Sequence, residues 1–210
     1  MPKDPLRTRF CEMLGIEFPI ISFTHCKDVA VAVINAGGFA VLGEAMHTPD
    51  DIAADIQWIR DRVDGKPFGI DLVLPASVPA VASLDDLLSK IPDEHKKFAL
   101  HIKEKYDVPN PKEEIALHQW GGLNQELGRA QLDVLLDERV PLIASGLGSP
   151  AFILDAAHER DMLVFGLVGK ARQAKRQLES GVDGIIAQGY DAAGHTGAVG
   201  TFSIVPEIAA

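Results

Sequence analysis

Short apolar runs of strand length alternate about six times with longer amphipathic stretches along this 210-residue chain. That alternation is the pattern of βα units around a parallel sheet. Strands are predicted over 19–23, 39–43, 67–74, 140–145, 163–168 and 184–188. Each is nearly continuous in apolar residues, as strands covered on both faces are. Helices are predicted between them, over 28–35, 49–63, 119–138, 150–160 and 171–180. Thr48, followed by Pro49, Asp50 and Asp51, supplies an N-cap, a first-turn proline and acidic groups that match the helix dipole. Gly37 and Gly181 each fall just past a predicted helix, where a left-handed residue can end it.

The third unit is irregular. A proline- and charge-rich segment over 75–118 separates its strand from the next helix, and it reads as an insertion over one mouth of the sheet. Helices are predicted within it over 83–90 and 93–105. The expected architecture is α/β, a single domain over 1–210 resembling a TIM-barrel, (β/α)8-like fold truncated to about its first six βα units. A barrel of that kind closes with eight strands, so a doubly wound open sheet is the alternative. Either way the C-terminal ends of the strands should converge, bringing Asp71, Ser145, Gln188 and His195 to one side. Unpaired first and sixth strands should favour association, so a homo-oligomer is one expected outcome.

The chain is 47% hydrophobic and 24% charged, enough to bury a sizeable core. Its 30 acidic and 20 basic residues leave a net charge of -10, which repels phosphates and anionic membrane surfaces. No nucleic acid or membrane partner is expected. Cys11 and Cys26 match neither a CxxC redox pair nor a zinc knuckle. With no apolar stretch resembling a signal peptide, a reducing, cytoplasmic location is expected.

The segment over 181–200 is the richest in candidate chemistry. A helix ends at Gly181, a strand follows, and the next loop is dense in glycine around His195. Ligands of α/β folds gather at the C-terminal ends of strands. Small residues Ala192, Ala193, Gly194 and Gly197 would let backbone approach a flat ligand. His195 can act there as a base or hydrogen-bond donor, or it can simply pin the loop. His25, at the end of the first strand, either lines the same mouth or caps a helix. His47 and Lys170 share that ambiguity. No pair of histidines has the local spacing of a metal motif, and no metal is expected.

The run AQGYDAAGHTG over 187–197 resembles the AQGxEAGGHxG signature of the nitronate monooxygenase family, formerly the 2-nitropropane dioxygenases, which also includes flavin-dependent enoyl-thioester reductases. NAGG over 35–38, PFGIDLVLP over 67–75 and GLVG over 166–169 extend the resemblance in the same order. It implies an FMN-dependent oxidoreductase with the cofactor at the C-terminal mouth, His195 as the catalytic residue, and Asp71, Gln188, Ala193 and Gly194 at the cofactor. The implied substrate is a small nitronate or nitroalkane oxidised with O2. An enoyl-thioester or CoA ester is the alternative within the family, and a catalytically inactive binding module the alternative outside it. Three departures stand out. Asp71 replaces the family's flavin-contacting Asn, Ala193 replaces a glycine, and Ser22, Phe23, Thr24 and His25 replace an APM segment. The family's FMN phosphate loops would fall beyond Ala210, so weak FMN affinity is expected for this form.

Overall fold

Six strands pair in strict chain order as one parallel sheet: β1 (Ile21–Thr24), β2 (Phe39–Gly43), β3 (Gly69–Val73), β4 (Leu142–Gly146), β5 (Leu163–Val168) and β6 (Gly184–Ala187). The computed structural model describes residues 6–74, 89–109, 125–146, 148–192, 194 and 197–210. The helices described are α1 (Arg9–Leu14), α2 (Lys27–Asn35), α3 (Pro49–Arg60), α4 (Asp93–Lys105), α5 (Gln125–Glu138), α6 (Leu154–His158), α7 (Ala171–Ser180) and α8 (Thr201–Ala209). The result is six successive βα units of the (β/α)-barrel type, with the sheet curled and its first and last strands unpaired with each other among the described residues. Nearest-neighbour strand order follows from right-handed crossovers that each advance the sheet by one strand; a doubly wound sheet would reverse its order partway.

Local chemistry explains the element boundaries. Thr48 accepts from the Asp51 N–H at 3.2 Å while Asp51 returns a bond to the Thr48 N–H, forming a capping box ahead of Pro49. Behind that cap, Ile52, Ile56 and Ile59 are fully buried at the spacing of one helical face. Each contributes about 1.5–3 kcal/mol of burial. α7 ends at Gly181, whose φ is +100°. The expected helix over 150–160 begins instead as a 3₁₀ turn, Pro150–Ile153, before α6. The segments over 83–88 and 119–124 lie outside the described residues. α1 was not anticipated.

Strand alternation divides the core in two. On the outer face Ala40, Leu42, Ile70, Leu72, Ile143 and Val164 pack with the helices. On the inner face Phe39, Val41, Leu142, Ala144 and Phe165 pack with Cys11, Leu14 and Ile16 from α1 and its exit. Phe39 and Leu142 open their strands, so α1 closes the N-terminal end of the inner face, with Phe10 and Phe165 ring centroids 6.1 Å apart. The two edge strands are not buried on both faces: β1 alternates between exposed and part-buried, and β6 is part-buried throughout. Among the described residues no helix is long and apolar enough to cross a membrane.

Candidate active site

Because α1 covers one end of the inner face, the accessible part lies toward the C-terminal ends of the strands. Asp71 stands there. It alternates with the outward Ile70 and Leu72, and its register partners are Gly43 on β2 and Ala144 on β4. Burial pushes its carboxyl up to about 7, since no described group nearby offsets the lost hydration. Among the described residues no hydrogen bond or ion pair engages the side chain.

Beside Asp71, two rings from the end of β1 lie over Gly43. A Cβ added there would lie 2.7 Å from both the His25 ring and Phe23, so a side chain at this position would displace the rings. His25 Nδ1 lies 3.0 Å from the Gly43 carbonyl, and its ring meets Phe23 edge-on with centroids 5.0 Å apart. The segment that departs from the family's APM run thus fills the β1 side of the mouth with two rings. On the other side of Asp71, a Cβ at Gly146 would meet no atom of the described residues within 4 Å, so among them the space there is open.

The loop after β6 is tied at its base. Gln188 N–H donates to the Val168 carbonyl and Tyr190 N–H to the Val199 carbonyl, both at 2.9 Å. Asp191 accepts from the Thr201 N–H at 2.7 Å, and that bond holds its carboxyl below the usual range. An acidic residue within the signature therefore joins the loop to the first turn of α8. Gly194 has a φ of +81°, a left-handed conformation that a side chain would strain. Ala193, His195 and Thr196 lie outside the described residues.

Parallel strands do bring the ends bearing Asp71, Ser145 and Gln188 to one side, as expected. Ser145 does not share the inner face, however. It is paired with Leu72 and Gly166 in register and is fully buried, which turns it toward the helices. A continuous apolar strand hides which face each residue takes, so sequence could not separate Ser145 from Asp71. Lys170, the residue before α7, is exposed. A second polar group missed by sequence reasoning, around Glu44, Asp55 and Lys27, lies behind β2 and is described below.

Six parallel strands in chain order, with the accessible part of the inner face toward their C-terminal ends, define a protein of the (β/α)-barrel type. Residues 7–210 match the family model described as nitronate monooxygenase, and the chain belongs to that family. Among relatives, Rv1533 of Mycobacterium tuberculosis, a monooxygenase by name, is 40% identical over 97% of this chain and 56% of its own length. A protein of Staphylococcus aureus strain JH9 that carries the name nitronate monooxygenase is 24% identical over 96% of this chain and 57% of its own. The chain therefore spans little more than half the length of these relatives. Nitroalkane oxidase from Streptomyces ansochromogenes superposes with a TM-score of 0.72 at 21% identity, covering 96% of this chain and 57% of that one. FabK from Thermotoga maritima does so at 0.67 and 24%, covering 96% and 50%. Both share the fold.

Proposed function

We propose that this chain provides the ring-binding side of an FMN-dependent oxidoreductase that oxidises nitronates or nitroalkanes with O2. The family match over residues 7–210 carries the reading, and the inner face supports it. A flavin ring needs apolar walls and a few polar groups at its edge. Phe23, Leu167 and Ile186 supply part-exposed apolar surface, and Asp71 is a carboxyl without a partner among the described residues. The face fits a flavin best with Asp71 protonated, because a neutral carboxyl can donate a hydrogen bond where an ionised one would repel electron-rich reduced flavin. Gln188 and the backbone at Ala193 and Gly194 would border the cofactor from the β6 loop.

FMN, when bound, would supply the redox chemistry that couples substrate oxidation to O2. The remaining steps belong to the chain. His195 would accept the proton on the carbon of a neutral nitroalkane, or hydrogen-bond the oxygens of an anionic nitronate. The inner face would hold the substrate beside the ring and limit its hydration. An enoyl thioester or CoA ester is the alternative substrate within the family.

His195→Asn in FMN-loaded protein tests the assignment. It removes the base, so oxygen consumption with neutral nitroalkane should fall by about two to four orders of magnitude. Oxidation of preformed nitronate should fall much less, and flavin content should hold. Equal losses on both substrates would contradict the base assignment. Turnover of an enoyl thioester with no response to nitronate would move the substrate to the alternative.

A further inference from the structure

Behind β2, on the side away from the inner face, lies a charged cluster that the proposed flavin site leaves unused. Glu44 follows Gly43 and is buried at 0% exposure. Its Oε2 contacts His47 Nδ1, and its Oε1 has no hydrogen-bond partner among the described residues. Asp55, in the second turn of α3, places Oδ2 3.9 Å from the same His47 nitrogen, while its Oδ1 takes the Lys27 ammonium. One potential ligand atom each from Glu44, His47 and Asp55 falls within 4.8 Å of the other two. The loop is held from a third element: Gln131 on α5 donates Nε2 to the His47 carbonyl at 2.6 Å and to the Ala45 carbonyl at 3.4 Å.

A wholly buried carboxylate with one oxygen unmatched is costly, because its lost hydration is only half replaced. A cation between the three groups would engage that carboxylate and the imidazole together. Two carboxylates and one imidazole are ligands that divalent first-row ions accept, with water completing the shell. Lys27 does not block such an ion, since it holds only Oδ1 of Asp55 and leaves Oδ2 facing His47. The His47 side chain is 42% exposed, which leaves an entry path.

We propose that Glu44, His47 and Asp55 bind a divalent transition-metal ion that fastens the loop after β2 onto α3. This departs from the sequence expectation of no metal, because the three ligands come from a strand end, a loop and a helix rather than one local motif. It is independent of the flavin reading. The competing account is a plain ion-pair network in which Lys27 is the only cation Asp55 needs.

Chelator-treated 210-residue chain titrated with Mn²⁺, and separately with Zn²⁺, by calorimetry decides between them. The site requires one saturating equivalent per chain, with affinity reduced at least tenfold in both His47→Gln and Asp55→Asn. Half-exposed His47 can be replaced without opening the core, and circular dichroism checks that the fold persists. Lys27→Met should bind the ion at least as tightly, because it removes a rival charge from Asp55. Absence of saturable uptake, equal uptake by wild type and both ligand variants, or weaker binding by Lys27→Met would each overturn the proposal.

Discussion

At the scale of single residues, Asp71 is the most informative departure from the family pattern. Its folded pKa of about 7 lies above the ordinary carboxyl value near 3.8. Between those values the folded chain holds a proton that the unfolded chain has released. Stability therefore falls as pH rises through that window, by at most about 4 kcal/mol and less where water reaches the carboxyl. Asp71→Asn lacks the slope. Urea midpoints at pH 5 and pH 8 should show the variant gaining on wild type at the higher pH, and parallel profiles would contradict the shift. The place of Asp71 on a strand was legible from PFGIDLVLP, but its inward direction was not. Ile70 and Leu72 are apolar because helices cover them, and Gly69 and Val73 because the inner face does, so the strand shows no alternation. The Glu44, His47 and Asp55 grouping was illegible for a different reason, since it depends on α3 returning beside the end of β2.

At the scale of elements, the central strands and the helices α2, α4 and α7 could be read to within two residues, because long apolar runs and clear ends mark them, whereas the helix expected over 49–63 stops at Arg60 and the one over 150–160 is α-helical only over Leu154–His158. α1 could not be read. Its six residues contribute Phe10, Cys11 and Leu14 to the inner core, too few positions to establish a helical period. Its importance is tertiary: it fills the end of the inner face that would otherwise admit water beneath Phe39 and Leu142. Leu14, 4% exposed, is the residue to test. Leu14→Ala should destabilise the chain by about 2–5 kcal/mol through lost burial and a cavity, measured by urea denaturation. A loss below about 1 kcal/mol would mean that α1 lies loosely on the sheet and does not close it.

At the scale of the whole molecule, the inner face and the sheet edges determine behaviour. β1 pairs only with β2, and β6 only with β5, among the described residues. Exposed Ile21 and Phe23 lie on the first of these edges. Unpaired edges of this kind recruit other chains, so light scattering should find dimers or larger species at micromolar concentration, whereas a stable monomer would show the edges to be covered. The central claim is that the inner face at the C-terminal ends of the strands receives the flavin ring. The most direct measurement is an FMN titration followed by flavin fluorescence, on wild type, on Gly146→Leu, which fills the open space on that face, and on Lys175→Ala on exposed α7. Weak but saturable uptake by wild type and Lys175→Ala, lost in Gly146→Leu, is the expected result. No uptake by wild type, or equal uptake by Gly146→Leu, would contradict the placement.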